Sequence, residues 1–441
     1  MENRIALLGG PRSVQNDPGD LFTWPIITQE DEEAVLDVLR KGGMSGTDVT
    51  KQFEQQFSEW QGNQYSLGFN TGTAAIHAAM FGCSVGVGDE IICPSVTYWA
   101  SALQAFSLGA TLVFADIDPV TLCLDPKDIE HRITERTKAI VVVHYLSYPA
   151  DMDPIMDIAK KYKIKVIEDV SHAQGGLYKG RKLGTIGDVG AMSLMTGKSL
   201  AIGEAGILTT NNREIYERAV AFGHYERFDE NIENEELQPY IGLPLGGYKY
   251  RMHQLSSAVG RVQLKYYDQR CAEIDKAMNY FWDSLEGVKG LRSHRPDKRS
   301  GSTKGGWYAP RGIYCADELD GLSVTRFVEA VRAEGVQCVA GCNSPLHKHP
   351  LVKTCDIYGH GRPTRIANTE RDVREGDNSL PISEIVGMMT FTIPWFKHYR
   401  PDLIKQYANA YRKVVENYKE LLQDDKGNPP QIGGWHFFQH R

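Results

Sequence analysis

Between residues 65 and 210, short apolar runs alternate with stretches whose apolar positions recur every three or four residues. The runs 65–69, 90–93, 111–116, 139–146, 165–169, 190–195 and 206–210 predict strands, and 74–81, 99–108 and 154–162 predict helices. A run such as AIVVVHYL (139–146) is apolar on both faces, which suits a strand covered by helices on each side. Alternation of this kind implies an α/β fold with parallel strands joined by right-handed crossovers. Ligands of open sheets sit at the carboxyl ends of the strands, so the polar residues just after these runs are where chemistry is sought.

A long helical stretch over 253–285 leads into a second region. Its midsection, HRPDKRSGSTKGGW (294–307), is charged and glycine-rich and predicts a mobile loop. GIYCA (312–316), VTRFVEAVRAEG (324–335) and a terminal helix around 403–422 then describe a smaller α+β unit. The expected division is an N-terminal segment 1–45, a large domain 46–270, a small C-terminal domain 271–425 and a tail 426–441. The aromatic end of the tail predicts docking on the body or on a partner subunit.

Composition narrows the classes. At 441 residues the chain exceeds one compact core, and 41% hydrophobic content supplies ample apolar material for two. The net charge of −7 and pI near 6.0 argue against a general nucleic-acid binder while permitting a local phosphate site. The N-terminal apolar run is too short for a signal peptide, and no run approaches the ~20 residues of a membrane span. A cytoplasmic protein without membrane contact is expected. Eight cysteines without a CxxC pair predict reduced thiols, and Cys338/Cys342 with His347 and His349 fit no structural zinc spacing, so no metal is expected.

Three segments carry candidate chemistry. FNTGTAAIHAAM (69–80) reads as strand, turn and helix, presenting free N–H groups and hydroxyls at the positive end of a helix dipole, which suits a phosphate. Its alternative is a helix cap formed by Thr71 or Thr73. KVIEDVSHAQGG (165–176) ends a strand in Asp169, where a carboxylate can pair with a protonated pyridine nitrogen or simply cap a turn. VGAMSLMTGKSLAIGEAGILTT (189–210) places Ser193 in a strand and Lys198 among small residues near the sheet interior. Lysines ordinarily stay solvated, so a carbonyl cofactor would explain this one; an exposed turn lysine is the alternative.

In joint order and spacing these segments resemble the DegT/DnrJ/EryC1/StrS family, the pyridoxal-phosphate sugar and cyclitol aminotransferases of fold type I. The family's Gly-Thr-Ala phosphate turn reads here as Gly72-Thr73-Ala74, its Asp three residues before Gln or His as Asp169 with His172, and its Ser five residues before the cofactor lysine as Ser193 with Lys198. The aromatic after Thr in PSVTYWAS (94–101) matches the ring-stacking residue, Tyr98. The resemblance implies an aspartate-aminotransferase-like fold, pyridoxal 5′-phosphate as cofactor, and Lys198 holding it as a Schiff base and moving a proton. It further implies Asp169 at the pyridinium, Tyr98 stacked on the ring, Gly72, Thr73 and Ser193 at the phosphate, and His172 near the phenolic oxygen. It also implies a homodimer whose active sites borrow residues across the interface.

Departures are visible too. The family's Asn-Tyr-Arg, whose Asn reaches the neighbouring subunit's phosphate, is Lys249-Tyr250-Arg251, so Lys249 would either take that place as a cation or be unrelated to it. Gly-Glu-Gly-Gly reads Gly203-Glu204-Ala205-Gly206, and the His three residues before the lysine is Met195. The tracts GGYKYRMHQLSSA and TIPWFKHYRPDLI look closest to the branch acting on keto-cyclitols such as scyllo-inosose, with glutamine or glutamate as amino donor and with His224, Tyr225 and Arg227 as candidate substrate contacts. A nucleotide-sugar dehydratase or lyase using the same cofactor, and a non-catalytic ligand-binding relative, remain the alternatives. Dehydratase relatives carry histidine where this chain has Lys198, which counts against the first.

Overall fold

The computed structural model describes residues 4–229 and 231–435. All seven predicted strands lie in one sheet: β1 (Tyr65–Phe69), β2 (Glu90–Pro94), β3 (Thr111–Ala115), β4 (Thr137–Val143), β5 (Lys165–Asp169), β6 (Val189–Ser193) and β7 (Gly206–Thr210). Their order is β1-β7-β6-β5-β4-β2-β3. The run from β3 to β6 is parallel, and β7 is antiparallel to both its neighbours. Register brings Asp169 beside Val143 on β4 and Ala191 on β6, so the ends of the three central strands meet on one edge. The helix Gly72–Gly82 is buried at nine of its eleven residues, and its alanines let it lie close against β6 and β7.

The 30-residue helix Gln254–Asp283 joins two cores, giving Leu264 and Tyr267 to the first and Ile274, Ala277 and Phe281 to the second. The second core lies under a small antiparallel sheet, β8 (Leu291–Ser293), β9 (Arg311–Tyr314) and β10 (Thr390–Thr392), with the helices Val324–Ala333 and Pro401–Glu416. This is the expected α/β architecture: a mostly parallel sheet with a smaller α+β unit. Between residues 342 and 386 the chain crosses back, and Cys342, Leu346, Val352, Leu380 and Val386 join the first core. Arg365 pins that excursion. Fully buried, it bonds both oxygens of Glu375 at 2.6 and 2.7 Å and the Leu112 carbonyl at 2.8 Å, over the Phe114 ring.

Three local expectations are corrected. The helix expected over 99–108 is two 3₁₀ turns, Trp99–Ser101 and Leu103–Leu108, broken at Ala102. The Thr97 and Ser101 hydroxyls bond each other at 2.9 Å, and Ser101 is drawn toward Asp169, a side-chain competition that tightens the turn. The strand expected over 139–146 leaves the sheet at Val143 because Leu146 and Ser147 take left-handed φ values of 51° and 67°. The loop over 294–307 is fastened: Thr303 pairs with Leu177, and Lys304 and Trp307 are each 1% exposed. The tail docks on the body of the molecule, with Asn343 and Gly434 bridged and the Trp435 ring 4.6 Å from His349; its last six residues lie outside the described ones.

Among the described residues no helix is long and apolar enough to cross a membrane, and no group of three His, Cys, Asp or Glu is placed to hold a metal ion. All eight cysteines are free thiols, five of them buried.

Candidate active site

A cavity of about 230 Å³ opens where the central strands end, and Lys198, Asp169, His172, Ser193, Tyr98, Gly72 and Thr73 all line it. They arrive from the ends of four strands, β1, β2, β5 and β6, and from the turns after them, as the carboxyl-edge rule anticipates. The Gly72 helix starts at the cavity. Thr71 is its cap, with Oγ1 accepting the Ala74 N–H at 3.0 Å, which leaves the Thr73 hydroxyl and the Gly72 and Thr73 N–H groups without partners among the described residues. Gly72 cannot be replaced here, because a Cβ would lie 2.5 Å from Cβ of Ser193. The backbone thus comes close enough to Ser193 to form one anion cradle.

Asp169 is 3% exposed, and its carboxylate accepts the Ser101 hydroxyl at 2.7 Å and the Ser171 N–H at 3.0 Å. No cation pairs with it among the described residues. Lys198 is 7% exposed and likewise lacks a carboxylate partner; its Nζ sits 4.0 Å from the Tyr308 ring centroid. A buried anion and a buried amine, unpaired across one cavity, are costly unless a ligand completes them. The donor set fits pyridoxal phosphate, whose ring N–H would suit Asp169, whose aldehyde would suit Lys198 and whose phosphate would suit the Gly72–Ser193 cradle. The lysine loop is held from three sides, by Trp24 Nε1 donating to the Lys198 carbonyl at 3.0 Å, by Gln174 donating to the Ser193 carbonyl at 2.6 Å, and by Ser199 bonding Gln174 and Tyr267 at 2.7 and 2.8 Å.

His172 is 3% exposed. Burial holds its imidazole well below the usual range, with Lys198 and Arg311 pushing the same way. Nδ1 accepts the Leu146 N–H at 3.2 Å, so the neutral ring carries its proton on Nε2, which has no partner among the described residues and is available as a donor. Tyr98 is half-buried beside Trp99, and burial raises its phenol above the ordinary value.

Three expected substrate contacts belong elsewhere. His224 is fully buried, its Nε2 bonds the Gly68 carbonyl at 2.8 Å, and burial lowers it to about 3. Arg227 pairs with Glu54 at 2.7 Å, and Glu54 in turn accepts the Gly68 N–H, so His224 and Arg227 are framework for β1; Tyr225 faces the surface, and none of the three lines the cavity. Lys249 does not line the cavity of its own chain; its Nζ lies 5.8 Å from the Tyr225 ring. Two site residues were not singled out from the sequence, although Ser101 ends the PSVTYWAS tract that carries Tyr98. Tyr308 comes from a segment 110 residues past Lys198 in which Trp307 and Ala309 take φ of 56° and 49°, and Ser101 sits 68 residues before the Asp169 it bonds.

A lysine, an aspartate and a phosphate cradle arranged this way on this sheet define a fold type I enzyme that works with pyridoxal phosphate. Residues 25–385 match the model of the DegT/DnrJ/EryC1/StrS aminotransferase family, and the chain belongs to that family. It is a pyridoxal-phosphate-dependent aminotransferase. The chain is 31% identical to the L-glutamine:scyllo-inosose aminotransferase of Streptomyces griseus over 96% of its length and 100% of that protein's, and 31% identical to the GDP-perosamine synthase of Caulobacter vibrioides over 73% and 86%. Among solved structures it resembles the aminotransferase from Psychrobacter cryohalolentis (28% identical, TM-score 0.77, covering 90% of this chain and 99% of that one). It also resembles S. venezuelae DesV, solved in complex with a ketimine intermediate (25%, TM-score 0.71, 88% and 94%).

Proposed function

We propose that the enzyme takes an amino group from glutamine or glutamate and delivers it to the carbonyl carbon of a keto-cyclitol or keto sugar, with a scyllo-inosose-like ring as the leading acceptor. The observation that carries the acceptor class is the end-to-end likeness to a glutamine:scyllo-inosose aminotransferase. A second feature agrees: the Glu204 carboxylate on the cavity rim has no partner among the described residues, and it suits a hydroxylated ring.

When bound, the cofactor offers Lys198 a carbonyl carbon and offers the attached donor a ring that draws electrons from its Cα. Lys198 Nζ would hold the cofactor at that carbonyl carbon and would serve as the base that takes up and returns the donor's Cα proton. Asp169, whose carboxylate accepts the Ser101 hydroxyl and the Ser171 N–H, would hold the ring nitrogen's proton in place. His172 donates from Nε2, Tyr98 fixes the ring plane, and Gly72, Thr73 and Ser193 bind the phosphate. The acceptor ketone then reverses the sequence.

The reading extends to a cytoplasmic homodimer in which Lys249 crosses to the partner's phosphate. Exposure of Leu243 at 75%, just ahead of Lys249, supports a second copy covering that segment. An assay with pyridoxal phosphate, glutamine and scyllo-inosose, analysed by mass spectrometry, is expected to give an aminocyclitol as glutamine is consumed. A deoxygenated ketone would transfer the assignment to the dehydratase alternative, and a fully active monomer in sedimentation would remove the shared site.

A further inference from the structure

The last described residues reach toward the active site. Gly434 pairs with Asn343, its carbonyl accepting the Ser344 N–H at 3.1 Å, and Trp435 Nε1 donates to the Pro345 carbonyl at 3.4 Å. The approach is built into the sequence. Gly433 has φ of 95°, and a Cβ there would lie 2.3 Å from the Cys342 carbonyl oxygen, so only glycine brings the two backbones so close. Farther back, Asp425 accepts both N–H and hydroxyl of Ser323 at 2.7 and 2.6 Å, tethering the tail before it crosses.

The partner segment leads inward. Asn343 is 3% exposed; its Oδ1 accepts the Tyr145 hydroxyl at 2.5 Å, and its N–H donates to that oxygen at 3.1 Å. The fully buried Tyr145 ring lies 5.6 Å from His172, and the next residue, Leu146, supplies the N–H that sets the His172 tautomer. Leu146 and Ser147 both hold left-handed φ, a conformation that surrounding contacts must enforce. The bridge to the tail and both hydrogen bonds to Tyr145 therefore meet at a single residue, Asn343.

We propose that residues 431–435 are a positioning strap of the active site. Pairing with 341–345 fixes Asn343, Asn343 fixes Tyr145, and Tyr145 with the strained turn after it aims the His172 Nε2–H into the cofactor cavity. Asn343 and Tyr145 are positioning residues, since neither lines the cavity. The inference rests on the placing of His172 beside the cofactor, so its first readout is taken on cofactor-free protein.

The test compares the full-length chain with one stopped after Pro430, with Asn343→Ala, and with Gly433→Val, which unseats the pairing without shortening the chain should the truncation fail to fold. Amide exchange of the 143–149 peptide is expected to rise about tenfold in all three while that of the β7 strand is unchanged. In the loaded enzyme kcat is expected to fall about tenfold with the donor KM within about twofold, and the effects of truncation and Tyr145→Phe are expected not to add. Faster exchange confined to 341–349, an unchanged kcat, or a general rise that includes the sheet would each overturn the strap. Failure of the aminotransferase reading shows instead as a wild type unresponsive to any amino donor, which leaves the exchange result standing.

Discussion

Lys304 is 1% exposed in a site that contains no carboxylate partner; its Nζ donates to the His294 carbonyl at 2.7 Å and faces the Trp307 and Tyr148 rings. Burial lowers it from a lysine's ordinary 10.5 to about 7. The unfolded chain holds that proton more tightly than the folded one between these values, so the wild type gains stability as pH rises from 7 to 10.5. At about 1.4 kcal/mol per pH unit, the mismatch costs the fold about 4 kcal/mol at pH 7 and about 1 at pH 10. Lys304→Met removes the titration and leaves the His294 carbonyl without its donor, a loss of about 1 kcal/mol. The variant is therefore expected to be more stable by about 3 kcal/mol at pH 7, with the advantage gone by pH 10. Denaturant unfolding of both cofactor-free proteins at pH 6, 7, 8, 9 and 10 measures this directly. Parallel stability curves, or a wild type more stable at pH 7, would refute the reasoning.

Three further outcomes follow from the site. Asp169→Asn keeps the Ser101 and Ser171 neighbours but cannot hold the ring proton, and kcat is expected to fall about 100-fold with the cofactor still bound, seen in steady-state kinetics. Gly72→Val drives a side chain into Ser193, so cofactor affinity is expected to drop about 100-fold in an absorbance titration. Arg227→Ala strands the buried Glu54 carboxylate and is expected to cost about 3–5 kcal/mol in unfolding while leaving the acceptor KM unchanged; a raised KM with normal stability would return Arg227 to the substrate pocket.

The central sheet was legible because each strand is a short apolar run between turn residues, distinct from the three-to-four spacing of the helices that flank it. The candidate site was legible where its residues lie at or a few positions beyond a strand end, as with Asp169 at the end of β5 and Lys198 after β6. What escaped is non-local. Tyr308 finds the site only through tertiary packing, and Ser101, though it ends the tract that carries Tyr98, shows its bond to Asp169 only in the fold. His224 and Arg227 misled because polarity near a motif says nothing about direction: both point into the framework, toward the Gly68 carbonyl and Glu54. The segment 294–307 looked mobile by its glycines and charges. A lysine and a tryptophan buried from that same segment outweigh composition.

The account's central claim is that Lys198 binds the cofactor covalently and exchanges it for an amino donor. An absorbance spectrum of wild type and Lys198→Ala, with pyridoxal phosphate and before and after glutamine or glutamate, tests it most directly. The account predicts a band near the visible edge in wild type that shifts on adding the donor, and no such lysine-dependent band in the variant. The same band in both proteins, or none in either, would contradict it.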